Sequence, residues 1–241
     1  MRSEIQLKIA SKKGSLHYLS SILLDKIPWV NHAFGIKGES TGNKINTLGD
    51  FVKSFGLFPE FISEVDQIHS SKVFIVSKPG IAGRGDGLVT NKKGLILAVK
   101  TADCAPALFC DTKKRVIGAV HIGWRGIVKG IIEKFADVVV KEFGSKMDEI
   151  FCAVGPFIRE CCYEIGDDII GYFKHYYQLE NGKIFLNMEE EIKDRLLRVG
   201  IPVDNIEFLK HCTACDPEKF FSYRRDRGKT GRMYSIIMIN N

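Results

Sequence analysis

The chain has 241 residues, and its hydrophobic content of 45% and charged content of 27% are ordinary for a globular protein. Its formal net charge of +6 is mildly basic, which fits an anionic substrate, a weak nucleic-acid contact or a plain soluble enzyme. No apolar run approaches the roughly eighteen residues of a membrane-spanning helix. The N-terminus lacks the apolar core of a signal peptide, so we expect a cytoplasmic protein with reduced thiols.

Strand-like sequence dominates the first half of the chain. Short apolar segments and a polar, Gly-rich loop at 35–46 occupy the first 60 residues. From 72 to 122, Val, Ile and Leu are frequent and Gly, Asp and Lys stand at the breaks, a pattern that predicts β-strands. The predicted strands comprise residues 72–77, 87–90, 94–103, 106–111 and 115–123.

The apolar period changes after this β-rich region. Apolar residues recur at helical spacing from Ile127 to Phe143, which predicts a helix over 127–143. The remaining predicted elements are a strand at 150–158, helices at 166–178 and 188–200, and a loop and strand within 219–239. Strands and helices are mixed without strict alternation or a visible linker. We therefore expect a single catalytic α+β domain over residues 1–241 with a mixed β-sheet.

Two of the predicted strands flank the polar sequence Asp111–Lys114, an arrangement typical of a β-hairpin. With a turn centred between Thr112 and Lys113, Cys104 faces His121. Directly opposed residues have Cβ atoms roughly 4.5–5.5 Å apart. Such a pair can share one metal ion or one proton, whereas a register slip of one residue would separate it.

The residues around this pair leave several interpretations open. A cysteine in an apolar strand is most often a small core residue, but Asp103 beside Cys104 is costly to bury unless it is paired. Cys104 with His121 as its base would form a thiol nucleophile. Beside a thiol nucleophile, Asp103 or another carboxylate would orient His121. At a metal site, Asp103 would be a general base or the group that orients a ligand histidine. The sequence GWRG after His121 opens a helix, and its N-terminal N–H groups together with Arg125 predict an anion site.

A third candidate ligand is His69, which precedes a predicted strand and is surrounded by polar residues. His69, Cys104 and His121 supply three N/S ligands, the number in a catalytic zinc site whose fourth position is open. No spacing rule connects His69 to the other two residues. The metal site and the thiol nucleophile therefore remain alternatives at this point.

The other thiols show weaker patterns. The total of seven cysteines is odd, so complete internal pairing is impossible. Cys110 and Cys152 lie between apolar residues and are expected in the core. The CxxC motif Cys212–Cys215 could be half of a structural zinc site, but without a visible partner we favour packing or redox sensitivity. No chemistry is expected of the adjacent pair Cys161-Cys162.

Six sequence blocks occur in a distinctive order. They are DQIHSS (66–71), GDGLVT (85–90), KTADCAP (100–106), AVHIGWRGIVKGI (119–131), AVGPFIRECCYEIG (153–166) and FFSYRRDRGKTGR (220–232). Together they resemble the bacterial multicopper-polyphenol-oxidoreductase-type laccase family, a YfiH-like family that is also described as purine nucleoside phosphorylases and adenosine deaminases. The resemblance covers about residues 28–241.

The resemblance implies that His69, Cys104 and His121 are metal ligands, that the metal is zinc, and that copper accompanies oxidase activity. It implies an α+β fold with layers in the order α/β/β/α. The implied reactions are phosphorolysis of adenosine, inosine or methylthioadenosine and deamination of adenosine, so the partners are a nucleoside and phosphate. Zinc would lower the pKa of a bound water to about 7, and Arg125 would hold the phosphate.

The aromatic and basic loop at 220–229 has three interpretations. Its cations beside Phe220, Phe221 and Tyr223 are compatible with stacking on single-stranded RNA. The modest net charge and the lack of a known RNA-binding signature disfavour that role. The loop would otherwise be solvated around an aromatic anchor, or it would form a wall of the nucleoside pocket. In that case Tyr223 or Phe221 would lie against the base, and Tyr223 and Arg225 would be substrate contacts.

Other enzyme classes would use the same residues. A cysteine hydrolase would use Cys104 as the nucleophile and His121 as its base. A copper-dependent phenol oxidase has weaker support, because blue-copper oxidation needs several copper sites and the whole chain has six histidines. The resemblance also allows a hydrolase that edits cell-wall precursors.

Overall fold

The computed structural model describes residues 18–37, 39–40 and 43–240. Most of the N-terminal sequence that was compared with a signal peptide, and part of the predicted loop at 35–46, therefore lie outside the described residues. None of the helices in the described ranges combines the length and the apolar character that crossing a membrane requires.

Short strands make up most of the regular structure. In chain order they are β1 (Tyr18–Leu19), β2 (Val30–Gly35), β3 (Glu39–Ser40), β4 (Asn43–Lys44), β5 (Ile62–Asp66), β6 (Val73–Ile75), β7 (Gly80–Arg84), β8 (Gly87–Thr90), β9 (Ile96–Thr101), β10 (Ala105–Asp111), β11 (Val116–Ile122), β12 (Ile150–Val154), β13 (Glu164–Ile165), β14 (Tyr176–Gln178), β15 (Ile184–Leu186), β16 (Ile206–Phe208) and β17 (Met233–Ile239). The helices are α1 (Ile22–Asp25), α2 (Leu48–Lys53), α3 (Trp124–Val128), α4 (Ile131–Phe143), α5 (Asp167–Ile170) and α6 (Met188–Arg198). Short 3₁₀ helices occur at Pro59–Phe61, Met147–Glu149 and Val203–Asn205.

Two six-stranded sheets form the centre of the fold. The first sheet has the strand order β1-β2-β17-β9-β5-β7, and the second has the order β16-β12-β10-β11-β8-β6. Both sheets contain parallel and antiparallel pairs, which confirms the predicted α+β class with mixed sheets. A three-stranded sheet (β13-β15-β14) and the small pair β3-β4 complete the pairing.

Alternating side chains bring the two sheets face to face. In β9, Leu97 and Val99 pack into the core between the sheets, while Ile96 and Ala98 pack on the opposite face with the side chains of α2. The outer face of the second sheet packs against α4 and α6. The layers therefore follow the α/β/β/α order that the resemblance implied. Central strands such as β10 are buried on both faces, which explains their nearly continuous apolar sequence.

Two helix predictions need correction. The predicted helix at 127–143 is two helices, because Gly130 adopts a left-handed φ of 77° between α3 and α4. Of the predicted helix at 166–178, only the four residues of α5 are α-helical, and Tyr176–Gln178 pairs with β15 instead. Aromatic residues favour strands, and this preference outweighs the helical pattern there. The helix predicted at 188–200 is confirmed as α6.

The predicted hairpin forms from β10 and β11, but its register differs from the prediction by two residues. Pro106 lies opposite His121, and four residues, Thr112–Arg115, connect the strands. Arg115, the last residue of this connection, adopts a left-handed φ of 53°. A shift of two residues keeps each side chain on its face of the sheet. Cys104 and His121 are therefore diagonal neighbours rather than directly opposed residues.

We expect Gly118→Ala in β11 to destabilise the protein by about 1–3 kcal/mol. A Cβ at this position would overlap the ring of Phe135, which is stacked on Phe109 with ring centroids 4.0 Å apart. Urea unfolding measures the change in free energy. Gly171→Ala is the matched control, because its φ is −63° and a Cβ there meets no atom within 4 Å. Equal destabilisation by both substitutions would contradict this explanation.

Candidate metal centre

Three side chains with metal-binding atoms converge at one end of the hairpin. The ligand atoms of His69, Cys104 and His121 all lie within 4.8 Å of one another. Nε2 of His69 is 3.8 Å from Sγ of Cys104, and the two imidazole rings meet edge to face with centroids 4.9 Å apart. Two imidazoles and a thiol suit zinc, and three protein ligands leave a fourth position open.

A glycine makes this convergence possible. His121 lies in β11, Cys104 immediately precedes β10, and continuation of the hairpin register places Gly123 opposite Cys104. A Cβ at Gly123 would lie 3.0 Å from Sγ of Cys104 and 2.8 Å from Cδ2 of His69. Only a residue without a side chain therefore leaves room for both groups.

The buried carboxylate of Asp86 holds both histidines. Its Oδ1 accepts hydrogen bonds from Nδ1 of His121 at 2.8 Å and from the backbone N–H of His69 at 3.0 Å. Its Oδ2 accepts from the backbone N–H and the hydroxyl of Ser70 at 2.6 and 2.7 Å. Because Nδ1 of His121 donates its hydrogen bond to Asp86, Nε2 is the nitrogen that remains available to bind a metal.

Sequence reasoning missed Asp86 as part of the site. The signal that could have found it is the block GDGLVT (85–90), in which a carboxylate directly precedes a buried strand. A carboxylate in such a position needs hydrogen-bond donors from elsewhere in the chain. Ser70 and His69 supply three of these donors from the block DQIHSS.

Electrostatic interactions shift the pKa values of the central groups. Burial alone would raise the pKa of the Cys104 thiol, but the positive charge of His121 and hydrogen bonds from both histidines lower it to about 6. Burial would lower the pKa of His121, but the charges and hydrogen bonds of Cys104 and Asp86 raise it to about 9. Burial would raise the pKa of Asp86, and hydrogen bonds from His121 and Ser70 lower it to about 2. In metal-free protein at neutral pH, these groups form a thiolate, an imidazolium and a carboxylate.

Asp103 does not orient a ligand histidine, so that expectation needs correction. Its Oδ1 accepts a hydrogen bond from the hydroxyl of Thr213 at 2.6 Å, and its Oδ2 accepts from the backbone N–H of Arg224 at 2.7 Å. Both partners belong to the segment after β16 rather than to the histidine-bearing elements. Asp103 also adopts a left-handed φ of 85°, so the two hydrogen bonds hold a strained residue directly before Cys104.

A cavity of about 790 Å³ opens over the three candidate ligands, a size typical of small-molecule sites. Apolar and cationic side chains line it, together with the acidic residues Asp66, Asp103 and Glu164. The apolar and aromatic part includes Trp124, Ile158, Tyr163, Ile165, Ile169, Met188 and Tyr223. The cations are Lys100, Arg125, Arg224 and Arg232. This composition fits a ligand with a flat apolar ring and a negatively charged group.

Two of the three predicted substrate-binding residues lie on the cavity wall. Arg125 is exposed, and its guanidinium lies 4.2 Å from the centroid of the Trp124 ring. Tyr223 is 57% exposed. The helix that begins at Trp124 has only five residues, so its macrodipole is short and the predicted anion site depends mainly on Arg125.

Arg225, the third predicted residue, does not line the cavity. Its guanidinium donates to the carbonyl oxygens of Thr213 and Phe220, both at 2.9 Å, and pairs with Asp226 at 2.8 Å. The neighbouring Arg224 reaches the cavity instead. Adjacent residues of an irregular loop point in different directions, so the sequence did not distinguish the two arginines.

The loop at 220–229 does not present its three aromatic rings on one surface. Phe220 is fully buried, and Phe221 is half-buried with Nζ of Lys37 4.8 Å from its ring centroid. Tyr223 is the exposed member of the three. This arrangement resembles an aromatic anchor with one ring at the cavity, and it lacks the row of exposed rings that binds successive bases of single-stranded RNA.

Proteins of one family resemble the chain in sequence and in structure. A family model described as multi-copper polyphenol oxidoreductase laccase matches residues 40–240. A purine nucleoside phosphorylase of Aquifex aeolicus (strain VF5) is 37% identical over 174 residues, which cover 72% of this chain and 81% of that protein. The adenosine deaminase RL5 of an unknown prokaryotic organism is 32% identical over 161 residues, which cover 63% and 61%. The crystal structure of YlmD from Geobacillus stearothermophilus matches with a TM-score of 0.84 at 26% identity and covers 95% of this chain and 98% of that one.

We expect Asp86→Asn to lower the affinity for zinc about 10- to 100-fold, because an amide removes the negative charge that holds His121. Competition with a chromophoric chelator measures this affinity, and circular dichroism confirms folding. Asp66→Asn is the matched control, because Asp66 lies on the cavity wall and its exposed carboxylate is 3.7 Å from Arg84. A folded Asp86→Asn protein with the affinity of the wild type would argue against this role.

We expect Cys104 of the metal-free protein to be alkylated by iodoacetamide with a midpoint near pH 6, because its pKa is lowered to about 6. The thiolate is then present at neutral pH and is lost as the pH falls through about 6, below the ordinary pKa of about 8.5. Peptide mass spectrometry separates this thiol from the others. His121→Asn should move the midpoint toward about 8.5, and buried Cys110 should remain unreactive. A wild-type midpoint at the ordinary value would refute the proposed thiolate.

Proposed function

The chain belongs to the multi-copper polyphenol oxidoreductase laccase family, and on this premise we propose that it is a zinc-dependent enzyme that acts on purine nucleosides. The proposed reactions are the phosphorolysis of adenosine, inosine and methylthioadenosine and the deamination of adenosine. The observation that carries the proposal is the His69, Cys104 and His121 cluster beneath a cavity of about 790 Å³. The names of the relatives, purine nucleoside phosphorylase and adenosine deaminase, support the substrate class.

The number of candidate sites favours a single zinc ion over multicopper chemistry. His69, Cys104 and His121 would hold the ion, and Asp86 keeps His121 in the tautomer that this requires. When bound, zinc would supply Lewis acidity and a water molecule whose pKa is near neutrality. Among the described residues, only one cluster of potential metal ligands contains histidine. Multicopper oxidation needs several copper sites, so this observation weighs against a copper-dependent phenol oxidase.

We assign phosphate binding to Arg125. Arg224 is already engaged, since its Nη1 donates to the carbonyl oxygen of Glu164 at 2.7 Å. Lys100 pairs with Glu64 at 3.1 Å, and Nη1 of Arg232 donates to the carbonyl oxygens of Thr230 and Gly231 at 3.2 and 2.8 Å. Within the part of the chain that the structure describes, no carboxylate pairs with Arg125, which borders the cavity beside the candidate ligands. A free guanidinium can bind phosphate through two parallel hydrogen bonds.

The same cavity offers a surface for the purine base. Tyr223 presents a largely exposed ring at the rim, and Ile165, Ile169 and Met188 provide an apolar wall. Aromatic stacking contributes about 1–3 kcal/mol per base in other nucleic-acid-binding proteins. We assign Asp103 a positioning role, because Thr213 and Arg224 already donate to its carboxylate.

One observation favours a second candidate function, a cysteine hydrolase. Cys104, His121 and Asp86 form a thiolate, imidazolium and carboxylate array. A nucleophile, its base and the group that orients the base need this arrangement. Metal content separates the candidates, since Cys104 is a ligand in one and a free nucleophile in the other.

We expect zinc-loaded protein to release free base from inosine and adenosine only when phosphate is present, and to convert adenosine to inosine without phosphate. Liquid chromatography measures both products. Cys104→Ala should lose the zinc of this centre and both activities, because the site then keeps only two ligands. Cys110→Ala is the control, since it removes a buried thiol from the core between the sheets.

Two outcomes would overturn the proposal. Folded, zinc-loaded protein that shows neither phosphate-dependent base release nor deamination would exclude purine nucleosides as substrates. Metal-free protein that is fully active, and that loses its activity in Cys104→Ala, would favour the cysteine hydrolase.

A further inference from the structure

A second group of metal-binding side chains lies outside the centre described above. The Sγ atoms of Cys161, Cys162, Cys212 and Cys215, termed here the four-cysteine cluster, all lie within 4.8 Å of one another. Sγ of Cys215 is 3.5 Å from that of Cys161 and 3.4 Å from that of Cys162. The CxxC motif therefore has a partner, an adjacent cysteine pair that precedes Cys215 by 54 and 53 residues.

The sulfur positions fit a shared metal ion better than a disulfide or a packed core. A disulfide bond is about 2.05 Å long, much shorter than the distances between these sulfur atoms. A tetrahedral site with Zn–S bonds of about 2.3 Å has sulfur–sulfur distances of about 3.8 Å. Cys161 and Cys215 are exposed and the other two are half-buried, so the cluster is not apolar packing and solvent ions can reach it.

The surrounding backbone stabilises a thiolate at Cys212. The backbone N–H of Arg159 donates to its Sγ at 3.4 Å. Backbone donors to a CxxC sulfur favour the form that binds metals, since the thiolate is the ligand.

The other thiols show why a cation would stabilise the cluster. Sγ of Cys215 lies within 3.5 Å of the Sγ atoms of both Cys161 and Cys162. Four sulfur atoms in so small a volume cannot all ionise without strong repulsion. A divalent ion at the centre removes this repulsion and deprotonates its thiol ligands.

We propose that the four-cysteine cluster is a second, structural metal site that binds one zinc ion through four thiolates. Four protein ligands complete the tetrahedral shell and leave no position for a substrate. Thiolate ligands select zinc strongly over magnesium and calcium. This site shares no ligand with the His69, Cys104 and His121 centre, so the two metal ions can be counted separately.

The proposed zinc site joins two loops that shape the active cavity. Tyr163, which lines the cavity, directly follows Cys162. Thr213 lies between Cys212 and Cys215, and its hydroxyl donates to Asp103. The backbone bridge between Phe157 and Cys212 brings the loops together, and a bound zinc would fix their separation. The function of this site is thus to hold both loops in position beside the metal centre.

Elemental analysis of protein purified in reducing buffer without added metal tests the stoichiometry. Wild-type protein should carry about two zinc ions per chain, and both Cys104→Ala and the double variant Cys161→Ser/Cys215→Ser should carry about one. A Cys104→Ala protein that carries no zinc, or a double variant that retains both ions, would overturn the proposal. These counts do not depend on enzymatic activity, so failure of the nucleoside assay leaves them unaffected.

A second measurement avoids the possibility that the double variant misfolds. Cys104→Ala keeps the four-cysteine cluster intact, so Co²⁺ added to its metal-free form should give the intense visible absorption of tetrahedral tetrathiolate cobalt. Bound zinc should also protect exposed Cys161 and Cys215 from alkylation. The absence of this absorption would overturn the proposal, as would a disulfide between Cys215 and either neighbouring cysteine in mass spectra of unreduced protein.

Discussion

The hydrogen bonds to the buried carboxylate of Asp86 determine the geometry of the metal centre. An ionised group in this position costs several kcal/mol unless it is paired, and here an imidazole, a hydroxyl and two short backbone N–H bonds compensate the cost. His69 lies on the loop that leaves the first sheet, whereas His121 belongs to the second sheet. Asp86 therefore joins the two sheets at the point where their ligands meet, and the tautomer of His121 follows from this bond.

Backbone conformation and side-chain size together determine how closely the ligands approach. His69 has a φ of 57° and Asp103 has a φ of 85°, conformations that cost about 1–3 kcal/mol each in non-glycine residues. The hydrogen bond from His69 to Asp86 holds the first residue in its conformation. The hydrogen bonds from Thr213 and Arg224 hold Asp103. Gly123 contributes through the absence of a side chain, which leaves the space that Sγ of Cys104 and the His69 ring occupy.

Local sequence patterns were sufficient for β6, β8 to β12, β17, α6 and the fold class, because burial on both faces of the central strands produces long apolar runs. They did not predict β2, β5 or β7 of the first sheet. The hairpin register was less accessible, since the polar sequence Asp111–Lys114 does not determine where the turn is centred and Arg115 shows no sign of its left-handed φ. The predicted register was wrong by two residues, an even number, so the prediction still placed Cys104 and His121 on the same face of the sheet. His69 was assigned to the site by family resemblance, because residues 35 positions apart have no spacing rule. Asp86 and the partner of the CxxC motif depend on such distant contacts and were missed.

The two cysteine-containing sites differ in the charge that their ligands give to a bound zinc ion. Two neutral imidazoles and one thiolate leave a zinc complex with a net positive charge and an open position, so the ion can polarise a substrate or acidify water. Four thiolates give a negatively charged, closed complex, which is a poor Lewis acid. The hydrogen bond from Thr213 to Asp103 connects the two sites, since Thr213 lies within the CxxC loop and Asp103 precedes the ligand Cys104. In the proposed enzyme, the inert site therefore fixes the backbone on which the reactive site depends.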